Sequence, residues 1–160
     1  MKLHYIILIV CFVLVSCKSN QNNIVYIISD TLVEEYQGMK DAKVAFQQKQ
    51  MTWQANIDSL QSQYQKALKK EPKKAQLFLQ NVNKYRTQIQ NLSQQEDQKM
   101  TQAVLGQINT FTELYGKKHG YDLILGTTSD GSILYGSDRL DITDQLLIAL
   151  NHYYATGEVK

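Results

Sequence analysis

The chain has 160 residues and a formal net charge of +2, and 43% of its residues are hydrophobic. This length fits one domain, and so small a net charge gives no reason to expect a nucleic-acid partner. With only two cysteines, Cys11 and Cys17, the chain excludes a disulfide framework and a cysteine metal cluster. Its stability must therefore come from packing.

The first residues have the pattern of a targeting segment. Lys2 precedes an apolar run, Tyr5 to Val15, that is shorter than the roughly 20 residues of a membrane-spanning helix. The run ends in Leu14-Val15-Ser16-Cys17, which resembles the lipobox of bacterial lipoproteins, where the cysteine thiol becomes a thioether to diacylglycerol. We expect a signal peptide over residues 1–16, lipid at Cys17 and a polar tether over residues 17–23. The alternative is an ordinary secretory signal with a chance cysteine.

A long helical hairpin is predicted over residues 30–119, with its tip near residues 71–74. Pro72 is the only proline, so continuous helix is possible on both sides of it, first from about Thr31 to Lys70. Every seventh residue on the first side is apolar, as in a coiled coil: Leu32, Met39, Phe46, Trp53, Leu60 and Ala67. The companion positions are half polar, so only a thin edge of the helix should be buried. Phe46 and Trp53 are expected to pack on the partner helix, with direct contact to a bound molecule as the alternative.

The return helix repeats this spacing and then changes phase. Its apolar positions are Phe78, Val82, Tyr85, Ile89 and Leu92, followed after a gap by Met100, Val104, Ile108, Phe111 and Tyr115. The first phase would place Glu96 and Lys99 on the seam. The step from Ile89 to Met100 is a stutter, which locally unwinds a supercoil. We expect a straighter and looser zone there.

Short strands and a final helix are predicted around the hairpin. Strand patterns lie at Ile24–Ile28, Tyr121–Leu125 and Ser132–Tyr135, the last two joined into a β-hairpin at Asp130-Gly131. Gly120 is the expected C-cap of the return helix, and Asp141 or Thr143 should cap the final one. Residues 24–29 and 120–160 would form a body too small to enclose a core alone, so we expect oligomerisation. The apolar side chains pooled there would be Ile142, Leu146, Leu147 and Leu150.

This order of elements resembles the Skp/OmpH family from about Ile24 to Asn151. The stretches that carry the resemblance are Ser29-Asp30-Thr31-Leu32, Gly38-Met39-Lys40, His119 to Leu125, Leu140-Asp141-Ile142-Thr143-Asp144-Gln145 and Ala149-Leu150-Asn151. It implies an α+β, mostly α fold: a homotrimer whose small β body carries three coiled-coil arms around a cavity. It further implies an ATP-independent periplasmic holdase for unfolded outer-membrane β-barrel proteins. This chain would be a lipoprotein variant, anchored to a bacterial membrane, either inner or outer.

Charge is concentrated at the two ends of the predicted hairpin. From Lys66 to Arg86 seven cations stand against Glu71 alone, a net +6, whereas the residues after His119 carry a net −4. The cations near the tip are Lys66, Lys69, Lys70, Lys73, Lys74, Lys84 and Arg86. Two interpretations remain open: the tip steers acidic clients or anionic lipid headgroups, or its lysines only keep it solvated.

No catalytic motif is recognisable in the sequence. The three histidines are far apart, and neither a Gly-rich phosphate loop nor a serine elbow is present. Asp141 and Asp144 stand where a helix begins, so capping explains them better than acid–base chemistry. We expect no enzymatic activity, metal or cofactor. The main alternative function is a coiled-coil structural or adaptor lipoprotein of the cell envelope, which should show one contiguous apolar patch on its arms; an envelope enzyme is a weaker one.

Overall fold

The structure, a computed structural model, describes residues 23–131 and 133–159. The predicted signal peptide and Cys17 lie outside the described residues. The elements in chain order are β1 (Ile24–Ile28), α1 (Ser29–Glu35), α2 (Gln37–Lys70), α3 (Pro72–His119), β2 (Leu123–Thr127), a 3-10 turn (Asp138–Leu140) and α4 (Thr143–Thr156). The predicted α+β, mostly α class with a long helical hairpin is confirmed.

Helices α2 and α3 form the hairpin, and a single residue, Glu71, separates them. The amide N–H of Glu71 donates to the carbonyl of Ala67 at 2.8 Å, which completes the last turn of α2. Pro72 then occupies the first turn of α3, where its missing N–H costs no helical hydrogen bond. The turn between the two helices therefore lies at the predicted place, and Pro72 determines its position.

The helix expected from Thr31 to Lys70 is interrupted at Tyr36, whose backbone is extended with ψ at 126°. The Tyr36 side chain is only 2% exposed, and its hydroxyl donates to Oε1 of Gln107 at 3.0 Å. A Cβ on Gly38 would lie 2.5 Å from the Tyr36 ring, so glycine is required there. The N–H of Gln37 donates to Oδ1 of Asn151 at 2.8 Å, which caps the new helix from α4. Burial of one aromatic side chain thus overrides local helix propensity.

The two strands pair in parallel, with Ile24 opposite Leu123 and Ile28 opposite Thr127. The predicted β-hairpin is wrong: β2 starts two residues late, and residues 133–135 form no strand. Strand β1 takes one edge of β2, and the Asp30 carboxylate accepts hydrogen bonds from the N–H and hydroxyl of Ser129. The loop that follows β2 is therefore bound to α1 through Ser129 and does not fold back along β2.

The core of the body lies where the sheet, α1, the base of the hairpin and α4 meet. Its buried side chains include Val25, Leu32, Val104, Phe111 and Tyr115. Ile142, Leu146 and Leu150 are 3%, 0% and 1% exposed within this core, and Leu147 is half-buried against it. These residues are covered within the single chain, where the last turns of α3 pack against them, and the association of several bodies stays a prediction.

Gly120 and Asp141 hold the helix ends as predicted. Gly120 adopts a left-handed backbone with φ at 69°, and its N–H donates to the carbonyl of Gly116. The Asp141 carboxylate accepts from the N–H of Thr143 at 2.9 Å and from its hydroxyl. The Asp141 carboxylate thus satisfies a free amide at the start of α4, although the residue that directly precedes the helix is Ile142, whose side chain makes no cap.

Candidate functional site

We call residues 40–70 of α2 and 72–103 of α3 the hairpin arm. Its two helices are held together by a thin seam. Its buried residues are Ile57 on α2 and Ala75 and Val82 on α3. Phe46 and Trp53 are half-buried, and their rings meet edge to face with centroids 6.3 Å apart. Both aromatics belong to α2, so this contact runs along one helix, and their packing on the partner helix stays a prediction. One seam position is wrong: Leu92 is 38% exposed, and Ser93 is half-buried in its place.

The middle of the arm is polar, as the stutter predicts. Among the described residues, none is buried between Met39 and Ile57 or between Val82 and Val104. Glu96 does occupy the seam and accepts a hydrogen bond from Nζ of Lys49 at 2.6 Å, with Lys99 3.9 Å away. The hydrogen bond and charge of Lys49 lower the pKa of Glu96. An ion pair joins the two helices here where apolar contact is sparse.

The cations predicted for the tip are all exposed, but only five lie at the turn: Lys66, Lys69, Lys70, Lys73 and Lys74. Lys84 and Arg86 follow Pro72 by 12 and 14 residues, which places them about 20 Å further along α3. Glu71, the one acid in this segment, forms an ion pair with Lys74 at 2.5 Å. The turn therefore remains strongly basic after its internal pairing.

Exposed leucines among these cations were missed by the sequence analysis. Leu68, Leu77 and Leu79 are 45%, 57% and 40% exposed near the turn. They fall between the heptad positions, so a search for periodic apolar residues passes over them. A count of apolar residues outside the seam would have found them.

The body also exposes apolar side chains. Leu123 and Leu125 on β2 are 46% and 41% exposed, and Leu134 and Tyr135 in the following loop are 100% and 86% exposed. On the outer side of α4, Ile148 is 71% exposed. In the two-stranded sheet, only one edge of β2 is paired with β1. The body therefore has an open strand edge on β2 and, in addition, several exposed apolar side chains.

Metal or membrane-spanning features are absent from residues 23–131 and 133–159. No group of three or more histidine, cysteine or acidic side chains could hold a metal ion there. None of the helices described for the chain is long and apolar enough to cross a bilayer.

Comparison with known proteins places the chain in a family. A family profile described as "Outer membrane protein (OmpH-like)" matches residues 23–150, which includes all of β1 and the arm and most of α4. No curated protein matches the chain significantly. Proteins of the matched family are periplasmic chaperones and not enzymes. The chain therefore belongs to the OmpH-like (Skp/OmpH) family, which assigns it a chaperone-type role in the periplasm.

Proposed function

We propose that the protein is an ATP-independent holdase that keeps unfolded outer-membrane β-barrel proteins soluble in the periplasm. The observation that carries the proposal is the surface of the arm. Exposed apolar side chains are scattered along both helices and separated by glutamine and lysine, as with Val44, Met51 and Leu92. Such a surface makes many weak contacts with a mobile chain and no single strong one.

The adaptor alternative fits this surface less well. A dedicated partner needs a contiguous apolar patch, because hot spots of binding cluster at the centre of an interface. Val44 and Met51 lie two helical turns apart on α2, and the residues between them are mostly polar or small. Weak and distributed contacts favour clients that are unfolded and varied.

A homotrimer would give the arms a cavity to enclose. The open edge of β2 and the exposed Leu134 and Tyr135 support an interface between copies of the body, since unpaired strand edges bind further strands. The cations at the turn would lie at the mouth of that cavity. There they would steer acidic client segments or anionic headgroups, an effect of charge on association rate.

Lipid on Cys17 would anchor this assembly to a bacterial membrane, on the pattern Leu14-Val15-Ser16-Cys17. The polar residues 18–23 would then separate the body from the bilayer by a short tether. Cys17→Ala should abolish acyl labelling and release the protein from the membrane fraction. An N-terminal peptide of the wild type whose mass includes no acyl chain would contradict the anchor.

The holdase proposal is tested by dilution of a urea-unfolded outer-membrane β-barrel into buffer without ATP. The protein added is the mature chain with Cys17→Ala, so that no lipid contributes. We expect light scattering of the client to be suppressed at stoichiometric chaperone concentrations and the client to remain competent to fold into added micelles. Unchanged scattering over a tenfold range of chaperone would reject the proposal.

A further inference from the structure

A cleft of about 600 Å³ opens where the arm joins the body. Its walls come from the joint between α1 and α2, one side of α3 and the last turns of α4, and they include Tyr36, Gly106, Gln107, Leu150, Tyr153 and Tyr154. Gly106 leaves open space in the wall, since a Cβ there would have no heavy atom within 4 Å. Aromatic walls with a few polar groups are typical of binding clefts.

A second cleft, of about 300 Å³, continues along the same side of α3 towards the tip. Lys99 lines this second cleft and Ala103 lines the first, and these residues are one helical turn apart on one stripe of α3. Phe46 and Met100 form its apolar part. The part of α3 that lines the two clefts runs from Glu96 to Thr110. Its length is about 21 Å, from the rise per residue of an α-helix. We call the two clefts together the arm-base groove.

The arm-base groove carries little net charge. No charged side chain lines the larger cleft, and in the smaller one Lys49 and Lys99 both lie beside Glu96, at 2.6 and 3.9 Å. Next to the larger cleft, the Tyr154 hydroxyl donates to Asp41 at 3.0 Å. The groove is therefore close to neutral and aromatic, in contrast to the strongly basic turn at the far end of the arm. An occupant that matches it carries apolar side chains and no net charge.

We infer that the arm-base groove binds an extended, uncharged segment of the client, with an aromatic side chain in the larger cleft. The inference rests on the proposed holdase function and names the client chemistry for one site. At about 3.4 Å per residue, 21 Å accommodates roughly six residues of extended chain, and alternate side chains point the same way. Transmembrane β-strands have this pattern, with apolar residues at alternate positions and aromatic girdles near their ends.

The inference is tested with Gly106→Leu, which fills the larger cleft. The open space at Gly106 admits the side chain, and leucine has a higher helix propensity than glycine, so the variant should be at least as stable as the wild type. The probe is a fluorescent ten-residue peptide of alternating Tyr or Val and Thr or Ser. We expect Gly106→Leu in the mature chain to weaken binding of this peptide about tenfold or more.

Two controls separate the groove from the rest of the molecule. Gln102→Leu adds the same side chain at an exposed position of α3 outside both clefts and should leave peptide affinity unchanged. A glutamate-rich peptide should bind wild type and Gly106→Leu equally. Equal affinity of Gly106→Leu and wild type for the uncharged peptide would overturn the proposed role of the groove. So would a wild type that holds the unfolded barrel but does not bind the peptide. Neither outcome would bear on the holdase proposal. A wild type that fails to hold the barrel rejects the holdase proposal instead.

Discussion

The body and the arm bury very different amounts of apolar surface, although one helix, α3, runs through both. In the described part of the chain, thirteen buried apolar residues form the body core, whereas three are buried along the arm. The core joins strands, three helices and the C-terminal helix, while the arm has only two helices in contact. Free energy of folding should therefore be concentrated in the body.

This difference suits a holdase. Segments with few buried contacts open locally at low free-energy cost, so the arm can change shape while the body stays folded. The polar zone around Lys49 and Glu96 divides the arm further, because the next buried side chain towards the tip, Ile57, lies two turns beyond Lys49. We expect the arm to adapt to clients and the body to hold the arms in place.

The largest expected effect is the loss of a large core side chain. Phe111, 0% exposed, contacts Tyr115 and Tyr153, with ring centroids 5.9 and 5.1 Å away. Phe111→Ala should lower the free energy of unfolding by about 3–5 kcal/mol, the usual loss for a buried phenylalanine. Urea unfolding followed by circular dichroism measures it. The matched variant Phe46→Ala, at a half-buried arm position, should cost clearly less, and equal losses would contradict the comparison.

The second prediction concerns how bodies associate. Leu134→Asp with Tyr135→Asp changes two side chains that are almost fully exposed in the single chain, so the subunit should fold normally. In a trimer whose bodies associate through these exposed apolar side chains, the new charges would lie in the interface and dissociate it. Light scattering should give a trimer for the wild type and a monomer with unchanged circular dichroism for the variant. A wild-type monomer at micromolar concentration would reject the trimer.

The third prediction tests the charge of the tip. Replacement of Lys69, Lys70, Lys73 and Lys74 by glutamine should slow capture of an acidic client several-fold at low salt and leave subunit stability nearly unchanged. The difference should fade at physiological salt, where exposed charges are screened within about 8 Å. Stopped-flow fluorescence over a salt series is the measurement. Equal rates at every salt concentration would leave only the solvated-tip interpretation.

The smallest expected effect is local and depends on pH. Because the pKa of Glu96 is lowered in the folded arm, its pair with Lys49 stabilises the arm above the ordinary glutamate pKa. That contribution is lost as pH falls below the ordinary glutamate pKa and through the lowered pKa of Glu96. Amide exchange near Lys49 and Glu96 should then accelerate relative to the body, after correction for intrinsic rates. In the Glu96→Gln variant, amide exchange should no longer accelerate in this way on acidification. If it still accelerates, another titratable group is the cause.

Much of the arm could be predicted because its structure follows from local periodicity. The apolar positions from Phe78 to Ile89 and the stutter near Glu96 lie on one continuous helix, where sequence spacing maps directly onto a face. Pro72 and Gly120 mark the helix limits through their own backbone preferences.

The features that could not be predicted depend on contacts between distant parts of the chain. The break at Tyr36 accompanies burial of its ring and a hydrogen bond to Gln107, 71 residues away, and the parallel pairing of β1 with β2 joins residues 99 positions apart. The loop at residues 133–135 has strand-like composition but pairs with no strand among the described residues. The arm-base groove was missed as well, because Gly106 and Tyr153 come together only through the packing of α4 on α3.

The central claim is that the arms grip the client while the body serves as a rigid base. Hydrogen–deuterium exchange with and without a bound, urea-diluted outer-membrane β-barrel tests it most directly. We predict slower exchange with client along α2 and α3 between residues 40 and 110, and unchanged slow exchange in β1, β2 and the buried side of α4. Protection confined to the body, or none in a complex that remains soluble, would contradict the account.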